Sequence, residues 1–452
     1  MSHSPPTILE TIRAWTVETP DQEALVFLAA NGNVERLTYA ELQSHVETRA
    51  VLLRELPLQS RVGLLAPHGP EFLLEALAIL TAGHCLVPIS RQLTRSQRDE
   101  LAERAGIHAW RDVEKDGLII DSGKPIDLAA DEDFRALSPA YLRFTSGSTG
   151  QRKGVLLSHP TILERTAAAN TRLQISPADR VLCLLPMVDH FVVSILLYLR
   201  YGATILLVEN DAGAADFAQT QMATVLYGSP AQYREFHSPL PQVRLAVSTT
   251  QGLSEPAAHS FLTQTGQPLT QALGIIEAGL LTLNEDRART EPLLAGVPMP
   301  DYQLTIVGDL GGEIHVAGPG LLDAYVSPWR PRASLMTLHG FPTGDHGWLD
   351  EAGCLHLVGR EKNRIELHGV RFYCEEIETC VNQHPNVSES LVFLKGSELL
   401  VQVVTQNEAA PESLAHEIHE RLAHLRTPIR IEVVPELPRT PTGKIARPRP
   451  VS

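Results

Sequence analysis

The densest chemical signal in this 452-residue chain is Thr145-Ser146-Gly147-Ser148-Thr149-Gly150, followed by Lys153 and Gly154. Glycines let a backbone approach an anion, and successive N–H groups can then form a nest around it. The hydroxyls of Thr145, Ser146, Ser148 and Thr149 add donors, and Lys153 supplies a point charge for phosphate oxygens. The spacing is not that of the G-x-x-x-x-G-K-[ST] phosphate loop, nor of the G-x-S-x-G nucleophile elbow. Further along, Glu277 follows the apolar segment 271–276, and its carboxylate is a hard oxygen donor of the kind magnesium takes. Asp345, Arg360 and Lys444 stand in glycine-rich surroundings of their own.

The formal net charge of −15 argues against nucleic acid or an anionic membrane surface as the main partner, because both carry negative charge. It does not forbid a local basic pocket. The five cysteines are odd in number and lack metal-ligand spacing, which fits reduced thiols and a cytoplasmic location. No basic cluster followed by an apolar run marks a signal peptide near Met1. The longest apolar run, 191–199, is far short of the roughly 20 residues of a membrane helix, and reads as a buried strand or helix.

Helical and strand-like patterns alternate through the first two thirds. Helices are expected over 8–16, 39–56 and 72–80, and strands over 24–28, 62–66, 85–88, 181–185, 204–208, 224–227 and 243–247. That alternation predicts a layered α/β fold with mostly parallel sheets. After residue 304 the texture changes to short strands with tight glycine turns, at 304–306, 312–316 and 354–358. A compact α+β tail follows, with helices over 375–381 and 411–425 and strands over 389–393, 399–404 and 431–434. A chain of this length outgrows one core. A boundary near 359–362 gives a large domain over 1–359 and a small one over 360–452.

The stretch 141–159 resembles the signature loop of the adenylate-forming superfamily, T-S-G-S-T-G-x-P-K-G, with Arg152 where proline is usual. Acyl-CoA synthetases, nonribosomal-peptide adenylation domains and firefly luciferase belong to it. The resemblance covers almost the whole chain, and its motifs fall in the family's order. Leu37-Thr38-Tyr39-Ala40-Glu41-Leu42 and the segment 82–88 resemble early elements that serve equally well as core packing. Gln271-Ala272-Leu273-Gly274-Ile275-Ile276-Glu277 resembles Q-x-Y-G-x-T-E, and Ser248 to Ser254, with Thr250, occupies the place of the loop that borders adenine. Thr343-Gly344-Asp345-His346-Gly347 resembles T-G-D-x-G, Gly359-Arg360 closes a G-x-L-x-x-x-G-R element, and 437–445 resembles L-P-R-T-x-x-G-K-I.

The resemblance implies ATP, Mg²⁺ and either coenzyme A or phosphopantetheine as cofactors. It implies that Thr145 to Gly150 and Lys153 hold the β- and γ-phosphates, that Leu273, Gly274, Ile276 and Thr250 meet the nucleotide, and that Glu277 binds magnesium. Leu273 and Ile276 depart from the aromatic and the threonine of the pattern; leucine can still cover a base by dispersion, but isoleucine has no donor. Asp345 and Arg360 are expected at the ribose, Lys362 at the hinge, and Lys444 as the catalytic lysine, delivered by movement of the small domain. Asp189, His190 and Tyr227 are expected in the acyl pocket. His190 is a residue type aryl and acyl ligases often carry there, whereas Asp189 matches the aspartate that grips an amine. The implied reaction joins a small carboxylic acid, aryl or medium acyl, to AMP and then to a thiol. A stand-alone amino-acid adenylation enzyme and a nucleotide-binding protein without chemistry are the alternatives. A carrier protein used as acceptor is expected in trans, since the sequence runs only eight residues past Lys444.

Overall fold

The computed structural model describes residues 6–115, 118–120, 128–144, 153–285, 291, 293–309, 311–367, 370–396, 398–405, 413–422, 425, 427–439 and 445–448. A large sheet-rich N-terminal domain carries a smaller C-terminal one. At the heart of the larger sheet lie six parallel strands, in the spatial order Glu23–Leu28, Thr204–Val208, Arg180–Cys183, Val225–Gly228, Leu245–Ser248 and Leu269–Ile275. Their successive side chains alternate between two cores. Leu25, Val181 and Ile205 join the main core, while Val26, Leu182 and Leu206 join a second one with Phe217, Phe236 and Phe261. This is the period of two that a pleated strand imposes, with both faces covered. It explains why these strands read as unbroken apolar runs.

Beyond Leu269–Ile275 the pairing turns antiparallel, through Gly279–Leu283, Leu294–Pro298, Leu355–Arg360, Phe341–Leu349, Glu313–Ala317 and Gln303–Val307. The expectation of parallel strands therefore holds for the centre of the sheet and not for this half. A second, eight-stranded sheet includes the parallel strands Arg61–Leu65 and Cys85–Pro88. Helices Ile8–Glu18, Tyr39–Leu53, Pro70–Thr81 and His159–Leu173 contribute to the main core that also takes residues from both sheets. Every residue from Phe72 to Leu80 is buried, including Glu75, whose carboxylate pairs with Arg111.

The early Leu37 to Leu42 element has a local cause. Thr38 caps the helix Tyr39–Leu53, and its hydroxyl and the Glu41 side chain form a reciprocal capping box. Tyr39 is buried and its hydroxyl donates to the Ala203 carbonyl at 2.9 Å. The helix stops at Leu53, short of the expected 56.

The apolar run 191–199 is helical. Met187–His190 leads into a π-helical segment, Phe191–Ile195, and then into Leu196–Arg200. Ser194 Oγ bonds back to the His190 carbonyl at 2.5 Å, which loosens the regular ladder at that turn. None of the described helices is long and apolar enough to cross a membrane.

The small domain has its own core, in which Ile377, Val381, Val392, Val401, Val403, Leu414 and Ile418 meet. Strands Val387–Lys395 and Glu398–Thr405 pair antiparallel, and Ile429–Val433 joins the second in parallel. Helices Cys374–Val381 and Leu414–Arg421 complete it, the latter shorter than the expected 411–425 within the described residues.

Candidate active site

In an open parallel sheet, ligands collect beyond the carboxyl ends of the strands. Here those ends carry Leu184 and the segment to His190, then Tyr227 and Gly228, then Ser248 to Thr250, then Leu273 to Ile275. His190 Nδ1 and Tyr227 Oη lie 3.2 Å apart, and their rings meet edge to face. Tyr227 also packs against the buried Tyr198. Burial raises the Tyr227 phenol above its ordinary range, so the group stays protonated. The expected His190 and Tyr227 are thus brought together.

Asp189 is buried as well, but its charge is already committed. Arg143, at the end of the strand Pro139–Phe144, places Nη2 2.5 Å from Asp189 Oδ1 and donates to the Asp189 carbonyl. Arg143 therefore offsets the charge through Oδ1, while Oδ2 is buried with no hydrogen-bond partner among the described residues. His68, which the sequence reading passed over, takes the Met187 N–H on Nδ1 at 3.4 Å. Burial lowers its pKa to about 4, so the ring is neutral and can accept.

Thr145 to Gly150 lie outside the described residues, as does Lys444. The stems of the first loop are described. Phe144 pairs with Gly154 across the antiparallel strands Pro139–Phe144 and Gly154–Ser158. A Cβ at Gly154 would come 3.0 Å from the Phe144 ring, so a side chain there would need the ring to shift. Lys153, at the loop's exit, holds its ammonium 5.0 Å from the centroid of the Tyr325 ring.

Glu277 sits on a braced turn. Its backbone carbonyl accepts from Leu322 N at 2.7 Å and Arg165 Nη2 at 3.3 Å. Arg165 Nη1 also takes the Ile276 carbonyl at 2.9 Å. Burial lowers the Arg165 pKa to about 10, which leaves it charged at neutral pH. Gly320 packs so closely that a Cβ would lie 2.5 Å from the Arg165 Cβ. The Glu277 side chain is half-buried, and its Oε1 accepts from the Tyr325 hydroxyl at 2.9 Å.

Leu273 and Ile276, the two departures from the family pattern, are half-buried and pack against the main core. Gly274 is needed for a close backbone approach, since a Cβ would lie 2.8 Å from the Gly279 carbonyl oxygen. Thr250 has φ of +77°, a left-handed conformation uncommon for threonine. Its loop is tied down by Gln271, whose Oε1 accepts from Leu253 N at 2.9 Å.

Asp345 and Arg360 face each other across neighbouring strands, with Nε 2.8 Å from Oδ1. Asp345 is only 6% exposed, and it raises the Arg360 pKa further. Thr343 Oγ1 accepts from Asp345 N at 3.1 Å, and Gly344 has φ of +73°, a left-handed conformation inside the strand that glycine enters without strain. Lys362 follows on the turn Glu361–Asn363. Crowding around its ammonium, then the Arg360 charge, lowers its pKa, although the side chain reaches the surface.

Beyond the undescribed segment with Lys444, Ile445 bridges back to Arg439, and Ala446 N donates to the Pro438 carbonyl at 2.7 Å. Arg447 then binds both Glu378 oxygens, at 2.6 and 2.9 Å.

Among the described residues no group of three or more His, Cys, Asp or Glu side chains could hold a metal ion. Magnesium is commonly held by one or two carboxylates together with phosphate oxygens and water. Glu277, a hard oxygen donor on a fixed backbone, fits that pattern.

Arg143, Arg165, Tyr325 and His68 are additions to the expected set. The available signal was a lone charged residue inside an apolar segment, as at Arg143 in 139–144.

Comparison with known proteins identifies the family. The AMP-binding enzyme profile matches residues 12–326, and the profile of the AMP-binding enzyme C-terminal domain matches 376–444. The chain belongs to the AMP-binding enzyme family. It is 27% identical to the anguibactin system regulator of Vibrio anguillarum over 91% of this chain and 45% of that protein, so it spans less than half of that relative. An indoleacetate–CoA ligase of Aromatoleum aromaticum is 26% identical, with 91% and 92% of the two chains covered. The fold matches the crystal structure of an anthranilate CoA ligase in complex with anthranoyl-AMP, with a TM-score of 0.81, 19% identity, and 98% and 96% of the chains covered.

Proposed function

We propose that this protein activates a carboxylic acid with ATP, forming an acyl-adenylate and pyrophosphate, and then passes the acyl group to a thiol. The observation that carries this reading is the convergence of Lys153 and the braced Glu277 on one tyrosine, next to the loop stem at Phe144 and Gly154. The buried Asp345 paired with Arg360 adds a site of the kind that receives a ribose.

In the first step a carboxylate oxygen attacks the α-phosphorus, the bond to the β-phosphate oxygen breaks, and pyrophosphate leaves. Two anions approach, so positive charge must be ready. Lys153 neutralises the leaving phosphates, and Lys444, the catalytic lysine, acts at the carboxylate and bridging oxygens. Glu277 would hold magnesium, which supplies further charge neutralisation at phosphate oxygens when bound. Asp345 accepts from the ribose hydroxyls, and the loop with Thr250, Leu273, Gly274 and Ile276 flanks the base. In the second step a thiol sulfur attacks the acyl carbonyl, its proton is lost to solvent, and the bond to the AMP oxygen breaks. The thiol belongs to coenzyme A or to a phosphopantetheine arm. The domains divide at 359/360, with Lys362 at the hinge.

The acid is an aryl or medium acyl acid. His190 and Tyr227 provide apolar ring faces with one polar edge, and Arg143 already offsets the Asp189 charge that would attract an amine, with only Oδ2 left unpartnered. The relatives named for indoleacetate and anthranilate act on acids of that kind. ATP–pyrophosphate exchange with amino acids and their des-amino analogues tests this choice. Exchange driven by the des-amino acids is expected. Exchange driven only by amino acids would reassign Asp189 to an amine.

A further inference from the structure

We infer that Tyr325 is a positioning residue that sets both the phosphate-binding lysine and the magnesium-binding carboxylate, its hydroxyl fixing Glu277 and its ring fixing Lys153. The inference rests on the proposed use of magnesium and ATP. Nothing in the early motifs singles Tyr325 out; the fold does.

Tyr325 lies on the short strand Ala324–Val326, which pairs antiparallel with Gly154–Ser158. In that register Tyr325 stands opposite Val155 and Val326 opposite Gly154, so the tyrosine is fixed beside the exit of the phosphate loop. Its ring is buried and rests near Phe341 at 6.5 Å between centroids. One face of the ring takes the Lys153 ammonium at 5.0 Å. A cation over an aromatic face is attracted by the ring quadrupole, most strongly where water is thinned. At the far end the hydroxyl donates to Glu277 Oε1 at 2.9 Å.

The arrangement orients one carboxylate oxygen and leaves the other for a cation. Hydrogen-bond partners of a metal ligand fix its orientation, and their loss typically costs about 10–100-fold in metal affinity. The backbone under Glu277 is already held by Leu322 N and Arg165, so Tyr325 supplies the remaining restraint, on the side chain. One residue thereby couples the two positive charges that meet the triphosphate.

Two substitutions separate the two contacts. Tyr325→Phe keeps the ring and loses the hydroxyl; Tyr325→Leu loses both. The readout is binding of ATP by calorimetry, across a magnesium titration and in EDTA, with thermal unfolding as the folding control. For Tyr325→Phe the magnesium concentration that half-saturates tight ATP binding should rise about tenfold, with binding in EDTA unchanged. Tyr325→Leu should also weaken binding in EDTA, by about threefold. Adding Tyr325→Phe to Glu277→Gln should shift nothing further, because the hydroxyl acts through that carboxylate. An unaltered magnesium dependence in folded Tyr325→Phe overturns the inference. Wild-type protein that binds magnesium–ATP but releases no pyrophosphate with any acid overturns the proposed reaction instead, and the Tyr325→Phe shift is still read from binding.

Discussion

At the scale of single residues, charge burial decides most outcomes. Arg143 and Asp189 are both largely buried, and a buried ion pair that loses one partner leaves an uncompensated charge. Arg143→Met should therefore destabilise the large domain by about 3 kcal/mol, measured by urea unfolding. The paired change Arg143→Met with Asp189→Leu should recover much of that loss. Histidines give a second test. Burial lowers His68 and His159 from 6.5 to about 4. Between those values the unfolded chain binds protons that the folded chain does not, so stability falls as pH drops through this window. Above 6.5 the contribution is fully present. His68→Gln should flatten the stability–pH curve there, while a curve equally steep in the variant would remove His68 as a cause.

At the scale of elements, caps and glycines hold the site in place. Thr38→Ala removes one half of a capping box and should cost about 1 kcal/mol in thermal or urea unfolding. Gly320→Ala should lower stability as well as function, because φ is +67° and the added Cβ would lie 2.5 to 2.8 Å from Arg165 Cβ, N and Cα. Its Cβ would press on Arg165, the side chain that holds the carbonyls of Ile276 and Glu277. ATP affinity should fall, and the thermal unfolding midpoint with it. This is also the scale at which sequence and structure part. The parallel strands were legible because both faces are covered, so they read as apolar runs, as in the fully buried Thr204–Val208. In the antiparallel half the strands expected at 304–306, 312–316 and 354–358 are found as Gln303–Val307, Glu313–Ala317 and Leu355–Arg360, but Phe341–Leu349 was not legible, because it mixes buried and half-exposed positions without clean alternation. Glycine-and-charge motifs around Asp345, Glu277 and Lys153 were legible because their spacing is local. Arg143, Tyr325 and Arg165 were not, because their partners lie 46, 48 and 112 positions away.

At the scale of the whole molecule, the account requires Lys444 to reach the large domain from the small one. The chain on either side of 440–444 is clamped to the small domain, by Arg439 on Glu389 and by Arg447 on Glu378. Arg447→Met should loosen that clamp. Adenylate formation should then slow more than thioester formation from a preformed adenylate, since only the first step uses Lys444. Equal loss in both steps would reduce Arg447 to general support of the small domain. The chain's place in the AMP-binding enzyme family rests on matches that extend across both parts, ending at Lys444 itself.

The most direct test of the central claim is pyrophosphate release over a panel of aryl, fatty and amino acids, with hydroxylamine as acceptor, for wild type and Lys444→Ala. The account predicts release with one class of acid, aryl or medium acyl, reduced roughly 10²–10³-fold in the variant. No release with any acid, from folded protein that still binds ATP, would contradict it and leave a protein that binds nucleotide without this chemistry.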